Sequence, residues 1–292
     1  MTILLTGATG FLGSNLLARL IGGGHKVIIL LRASSSLQRI ESLLDRVTLH
    51  VIGDSSFDDL FRNNRIEIII HCATNYGRGE VDPADLLDAN LIVPLRLLQK
   101  GSHAGVRCFI NTDTILDKSV NDYALSKSQF KEWLVTYSQK MLCVNVALEH
   151  FYGPYDNPTK FVSYIVEQLL DRVETIPLTK GEQKRDFIYI DDIVSAFLLI
   201  LDNAAVLELG YLDYEIGTGA PVSIRNFVEL TRKITGNTST TLHFGALPYR
   251  ENEAMITAVN SAAIRALGWI PAINLSEGLT KMIEQERERR TI

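Results

Sequence analysis

The sequence contains no uninterrupted apolar run of the ~18–20 residues needed to cross a bilayer, and it enters a buried-strand pattern at once, with no basic leader. No membrane span and no signal peptide are expected. Charge of neither sign dominates: the formal net charge is −5, which singles out neither nucleic acid nor anionic lipid as a partner. Cysteine is scarce. Cys72, Cys108 and Cys143 each lie in or beside an apolar stretch, where a thiol behaves as a small hydrophobe. Neither a disulfide framework nor a metal site is expected, and the pattern suits a reducing cytoplasm. Internal repeats and low-complexity segments are also missing, which excludes solenoids and disordered tracts. What remains is a chain of 292 residues, 46% hydrophobic and 22% charged, large enough for one big domain or two unequal ones.

Through the N-terminal half, short aliphatic or β-branched stretches alternate with longer amphipathic ones, the rhythm of a parallel sheet with helices on both faces. The strand candidates are Thr2 to Thr6, Lys26 to Leu31, Val47 to Val51, Ile66 to Ile70, Val106 to Thr112 and Leu142 to Leu148. Nearly all are apolar throughout, as in strands covered on both sides. Helices are expected over Phe11 to Ile21, Asp82 to Lys100 and Asn121 to Gln139. After Gly153-Pro154 the rhythm loosens, and Pro158, Pro177, Pro221, Pro248 and Pro271 punctuate shorter elements. Tyr211 to Ile216 again reads as a buried strand, able to rejoin the main sheet. The charged run Glu284 to Arg290 reads as a solvated helix end. The expected fold class is therefore α/β: a doubly wound parallel sheet from residues 1–154 and 186–217, with a smaller irregular lobe from 155–185 and 218–292.

Directly after the first strand comes Gly7-Ala8-Thr9-Gly10-Phe11-Leu12-Gly13. Glycines at such a turn permit positive φ and close approach of a ligand, and the helix that follows points unpaired N–H groups and its positive end at a diphosphate. The spacing is G-x-x-G-x-x-G, not the G-x-G-x-x-G of the ordinary dinucleotide fingerprint. Placed between a buried strand and a helix, it still reads as a Rossmann-type dinucleotide turn rather than an empty one. At the end of the second strand, where an NAD enzyme usually offers an acid to the ribose hydroxyls, stands Arg32. A guanidinium grips a ribose phosphate that a carboxylate would repel. NADP(H) is expected over NAD(H), with Ser34 or Arg39 as helpers; the competing reading is a surface arginine that happens to close a strand. Asp54 reads either as an acceptor for an adenine amino group or as a turn aspartate.

Tyr123-Ala124-Leu125-Ser126-Lys127 opens a helix, and the four-residue spacing stacks phenol and ammonium on one face. A phenol with a pKa near ~10 is a poor acid or base at neutral pH, and a neighbouring cation brings it toward the working range. Lys127 is expected to do this while holding the nicotinamide ribose. The preceding strand ends Phe109-Ile110-Asn111-Thr112, so the Thr112 hydroxyl can meet a substrate carbonyl beside Tyr123.

Together these pieces resemble the extended branch of the short-chain dehydrogenase/reductase family, the nucleotide-sugar epimerases, dehydratases and ketoreductases, over almost the whole chain. The likeness extends to Ile70-His71-Cys72-Ala73, Asn90, Phe151-Tyr152-Gly153-Pro154, Arg185-Asp186-Phe187-Ile188-Tyr189-Ile190-Asp191-Asp192, Gly217-Thr218-Gly219 and Arg250-Glu251-Asn252-Glu253. It implies that Cys72, Ala73, Thr74 and Asn90 join the glycine turn, Tyr123 and Lys127 at the cofactor. It implies further that Thr74, Asn75, Thr114, His150, Phe161, Arg185 and Arg250 meet a sugar nucleotide, with the two arginines on its diphosphate. Relatives pair as homodimers through the helices corresponding to Asp82 to Lys100 and Asn121 to Gln139.

Within that branch the chain is most similar to the 4-ketoreductases of the CDP-abequose and CDP-paratose synthase type. The matching words are Ala73-Thr74-Asn75-Tyr76-Gly77, Asn111-Thr112-Asp113, Leu148-Glu149-His150-Phe151-Tyr152-Gly153-Pro154, Thr179-Lys180-Gly181-Glu182-Gln183 and Ala266-Leu267-Gly268-Trp269. The resemblance implies NADPH-dependent reduction of the 4-keto group of a nucleoside-diphosphate 6-deoxy or 3,6-dideoxy hexose, a step of deoxysugar and O-antigen lipopolysaccharide biosynthesis. Two departures matter. Dehydratases of the branch carry Thr-Asp-Glu, whereas Thr114 follows Thr112-Asp113 here, so the second acid for water elimination is missing. Leu116-Asp117 replaces the usual Tyr-Gly. His150 stands where many relatives have asparagine, and reads equally as a sugar contact or as packing, as does Glu149. The alternatives are an NAD-dependent 4-epimerase and a non-catalytic cofactor-binding relative.

Overall fold

The computed structural model describes residues 1–53, 57–204, 206–207, 209–250 and 253–291. It comprises two compact units, residues 1–148 with 194–215 and residues 149–193 with 216–292. The first unit runs β1 (Thr2–Thr6), α1 (Phe11–Gly22), β2 (Lys26–Arg32), a 3-10 stretch Gln38–Arg46, β3 (Thr48–Ile52), α2 (Phe57–Asn63), β4 (Ile68–His71), α3 (Pro83–Leu87), a π-helical turn Asp88–Ile92, α4 (Val93–His103), β5 (Cys108–Thr114), α5 (Asp122–Tyr137) and β6 (Leu142–Leu148). The second continues with β7 (Phe151–Tyr152), α6 (Phe161–Leu170), β8 (Thr175–Leu178), β9 (Lys184–Arg185) and β10 (Ile188–Tyr189). Helix α7 (Ile190–Ala204) and β11 (Gly210–Ile216) return the chain to the first unit, and β12 (Val222–Ser223), α8 (Ile224–Thr235), β13 (Thr241–Phe244), α9 (Ala262–Ala266) and α10 (Leu275–Thr291) complete the second. Among the described residues no helix is long and apolar enough to cross a membrane.

The first unit is a Rossmann-type α/β fold. Its seven-stranded sheet has the order β11-β6-β5-β4-β1-β2-β3, and the neighbours among β1 to β6 pair in parallel. Chain order reverses between β1 and β4, and in such sheets ligands bind at that switch, outside the carboxyl ends of the strands. Interior strands are apolar because helices cover both faces: β6 is buried at every residue. The edges differ. Leu49 of β3 is 45% exposed, and β11 buries Tyr214 and Ile216 while leaving Asp213 exposed, the alternation of a strand covered on one side rather than the fully buried run expected. Phe109, Phe130, Leu134, Leu97, Leu98, Leu4 and Ile69 meet in the core that fixes these strands.

The helix expected over Asp82 to Lys100 begins as predicted, with the Asp82 carboxylate accepting from the Ala84 N–H at 2.8 Å, but opens into the π turn at Asp88–Ile92. Pro94 supplies the reason. It has no N–H to give the Asn90 carbonyl, so the i→i−4 ladder cannot close there. Among the described residues the second unit contains three two-stranded sheets, β10 with β7, β12 with β9 and β13 with β8; its buried polar residues include Asp186, Asp192, Asn237 and Glu286.

Candidate active site

The glycine turn caps β1 at the switch point. Gly7 has φ +68°, and a Cβ there would fall 2.5 Å from the Ala73 nitrogen and 2.6 Å from the Cys72 carbonyl carbon, so only glycine lets this turn lie against the end of β4. A Cβ on Gly13 would sit 2.1 Å from the Gly7 carbonyl oxygen; α1 is therefore seated directly on the turn. Gly10 caps the helix with no side-chain bond, Thr9 is half-buried in the turn, and Phe11 and Leu12 are buried at the helix start. Arg32 ends β2, exposed, and makes no ion pair with a described residue. The backbone N–H of Arg32 donates to the Ser35 hydroxyl at 3.1 Å. These features fit a dinucleotide: a close-approach glycine turn, a helix start without a side-chain cap and a cation at the neighbouring strand end. Asp54 lies outside the described residues.

At the ends of β4 and β5, one buried amide organises the site. Asn90, fully buried in the π turn, accepts through Oδ1 from the Asn75 N–H at 2.8 Å and the Thr74 hydroxyl at 3.2 Å. Its Nδ2 donates to the Asn75 carbonyl at 2.8 Å and to Ser126 Oγ at 3.0 Å. Ser126 donates in turn to the Tyr123 carbonyl at 2.8 Å. All four hydrogen-bonding positions of the Asn90 amide are thus engaged within the protein. Asn90 positions the loop after β4 against α5; the expected cofactor contact would have to displace one of these bonds. Ser126 was given no role from sequence, although its place three residues after Tyr123 puts it on the same helix face.

Tyr123 opens α5, whose first turn is capped by Asn121 accepting from the Ala124 N–H at 2.8 Å. Burial, reinforced by Tyr76 and by the negative charge of Asp113, raises the Tyr123 pKa above its ordinary value; the Thr74 and Thr114 hydroxyls are hydrogen-bonding neighbours of the phenol and pull the other way. Lys127, one helical turn after Tyr123 on α5, is 1% exposed. Burial lowers its own pKa, with Asp113 opposing. For the phenol, desolvation outweighs the hydroxyl hydrogen bonds, and its pKa stands above the ordinary value. The Thr112 hydroxyl donates to the His71 carbonyl at 3.0 Å, and it is Thr74 and Thr114 that the structure brings to Tyr123. Asp113 accepts from the Thr114 N–H at 2.8 Å and from Asn145 Nδ2 at 2.9 Å. Burial pushes the thiols of Cys72 and Cys143 up to about 12, which disfavours the thiolate.

The remaining expected substrate residues lie in the second unit. Arg185, 8% exposed, donates to the carbonyls of Lys184 at 2.8 Å and Ala254 at 2.7 Å and pairs with Glu253. Arg250 is exposed. His150 Nδ1 meets Glu149 Oε1 at 3.1 Å, and its ring packs edge-on against Phe187 with centroids 5.7 Å apart. The Phe161 ring packs against Phe227 at 5.7 Å. A surface cavity of about 430 Å³ bordered by Val106, Arg107 and Met141 opens at the amino ends of β5 and β6, the wrong end of the strands for this chemistry.

Residues 3–217 match the model of the NAD dependent epimerase/dehydratase family. The chain belongs to that family. It is 33% identical to the CDP-abequose synthase of Salmonella typhimurium over 97% of both chains, and 29% identical to the UDP-glucose 4-epimerase of Mycolicibacterium smegmatis over 99% of both. Among solved structures, the UDP-glucose 4-epimerase of Thermotoga maritima with UDP-glucose matches with a TM-score of 0.85 at 25% identity, covering 99% of this chain and all of the other. Family membership makes the chain a nucleotide-sugar oxidoreductase of a family that uses a nicotinamide cofactor.

Proposed function

We propose that this family member reduces the 4-keto group of a CDP-linked 6-deoxy or 3,6-dideoxy hexose with NADPH. The observation that supports the reading is the placing of the Tyr123 phenol beside the Thr74 and Thr114 hydroxyls, its hydrogen-bonding neighbours, because a ketone being reduced needs a proton donor and hydroxyls about the developing oxyanion. The cofactor, when bound, supplies the hydride. Tyr123 gives its proton to the oxygen at carbon 4 as negative charge develops there, and the threonine hydroxyls steady that oxygen. Lys127, buried behind the phenol on the same helix face, would hold the nicotinamide ribose. Arg32 would take the ribose phosphate that distinguishes NADPH. Arg185 and Arg250 would hold the diphosphate, Arg185 exchanging its Glu253 partner for phosphate oxygens. The likeness to CDP-abequose synthase supports the substrate class. Leu125, Trp133 and Val135, exposed on α5, support a homodimer formed through α4 and α5.

A second reading, an NAD-dependent 4-epimerase, draws on the epimerase relatives. It needs the same tyrosine as a base and usually an acid in place of Arg32. One assay separates the two: purified protein is mixed with NADPH and CDP-, dTDP- or GDP-linked 4-ketohexoses, cofactor absorbance is followed, and the carbon 4 configuration of the product is read by NMR. The expected outcome is NADPH consumption with the CDP-ketosugar and a single product configuration. Tightly bound NAD in the purified protein, with no NADPH consumed and interconversion of UDP-hexoses, would establish the epimerase instead.

A further inference from the structure

The loop that follows β4 carries an aromatic residue that the reaction as described does not use. Tyr76 is 43% exposed, and its ring centroid lies 5.3 Å from that of Tyr123, tilted by 41°. The Arg78 guanidinium stands 5.4 Å from the Tyr76 centroid. Asn90 grips the preceding residue through both its N–H and its carbonyl, each at 2.8 Å, and Asn75 Oδ1 accepts from the Gly77 N–H at 3.0 Å. Each of these bonds spends a side-chain amide on fixing backbone to either side of Tyr76. The chain thus holds a solvent-facing aromatic ring in a fixed place beside the proton donor, where a loop needed only for connection would carry a small polar residue.

We propose that Tyr76 is a specificity-determining residue of the sugar site: its ring, backed by Arg78, forms an apolar wall beside Tyr123 on which the deoxygenated face of the hexose seats. An aromatic face buries C–H surface well, whereas a sugar hydroxyl pressed against it would lose its water without gaining a partner. The wall therefore favours a hexose lacking the hydroxyl at carbon 3 over one retaining it. This deepens the 4-ketoreductase reading and rests on it.

The test compares kcat/KM for the CDP-linked 4-keto-3,6-dideoxyhexose and its 3-hydroxy counterpart, the CDP-linked 4-keto-6-deoxyhexose, in wild type, Tyr76→Phe and Tyr76→Ala. A hydrophobic surface discriminates a hydroxyl by about 10- to 100-fold, and that is the preference expected of wild type. Tyr76→Phe is expected to keep the preference within about threefold, since the ring remains. Tyr76→Ala is expected to bring the ratio to within about threefold of unity, mainly by raising KM for the dideoxy substrate. NADPH affinity, read by fluorescence, is expected to be unchanged in both variants. An equal fall for the two substrates in Tyr76→Ala would overturn the proposal, as would loss of activity in Tyr76→Phe, which would assign the phenol oxygen rather than the ring. A wild type that reduces both substrates equally would also overturn it. If wild type consumes NADPH with neither, it is the 4-ketoreductase reading that falls.

Discussion

In the first unit, polar side chains stand at the ends of strands that are otherwise apolar; in the second, polar side chains hold together strands too short to hold themselves. Thr74, Thr114 and Tyr123 sit on a frame of buried strands, β6 among them, which hydrophobic packing holds in place. The second unit pairs strands of two residues, β7 with β10 and β9 with β12. There Asp186 accepts from the Thr218 N–H, the Thr218 hydroxyl and the Gly219 N–H, and Asp192 accepts from the Ala272 and Ile273 N–H groups at 2.8 and 3.0 Å. The contrast has a consequence for mutagenesis: removing the Tyr123 phenol in the first unit costs activity, and removing the Asp186 carboxylate in the second costs stability.

The largest effect that sharpens this contrast is expected at Tyr123. Tyr123→Phe removes the proton donor and is expected to lower kcat about 10³-fold, in the middle of the range for general acids, with little change in urea midpoint. A loss of stability as large as the loss of activity would erase the distinction between the units. Next comes Asp186→Ala, which strips one acceptor from three donors at once. Leaving buried donors unsatisfied costs ~1–3 kcal/mol each, part of it recovered by water, so a loss of about 3 kcal/mol is expected in urea titration. An unchanged midpoint would mean that apolar packing, not Asp186, holds the second unit. Arg32→Ala follows, expected to reduce the preference for NADPH over NADH by about 10- to 100-fold, the worth of one or two charge-assisted bonds. An unchanged ratio of affinities would leave Arg32 as a strand-end arginine and nothing more.

Legibility in the sequence follows the same division. Strand β1 and strand β6 were readable to the residue, because apolar runs between glycine turns have few other homes. The Gly7 to Gly13 turn was readable because its glycines answer to steric limits that hold locally. What the sequence did not disclose were the directions of hydroxyls and amides. Thr112 and Thr114 are both polar residues on β5, but only the fold turns the first toward the His71 carbonyl and the second toward the phenol. Lys127 stacks below Tyr123 as helix spacing requires, yet its influence on the phenol depends on burial and on Asp113, which lies on another element. The four internal bonds of Asn90 were likewise invisible in the sequence. In the second unit little was legible at all, since contacts such as Arg185 with Glu253 join residues far apart in sequence through side chains alone.

The smallest effect concerns a group that breaks the division from inside the first unit. His71 is a polar side chain on a core strand, 0% exposed, with Nδ1 at 2.8 Å from the Thr6 hydroxyl and Nε2 buried without a hydrogen-bond partner among the described residues. Burial, and to a smaller extent the charge of Lys127, lowers its pKa well below 6.5, so the folded chain keeps it neutral. Once unfolded, the same imidazole takes up a proton as the pH falls through 6.5. Between these two values unfolding binds a proton. The stability that depends on His71 is therefore complete above 6.5 and declines as the solution is acidified, by up to about 1.4 kcal/mol per pH unit. Urea midpoints for wild type and His71→Asn, measured from pH 8 downward, are expected to run parallel above 6.5 and converge below it, the wild type having the steeper decline. His25, whose pKa is also lowered by burial, is common to both proteins and cancels in the comparison. Curves that stay parallel throughout would show that His71 meets protons alike in both states, and that the first unit tolerates charge in its core as the second does.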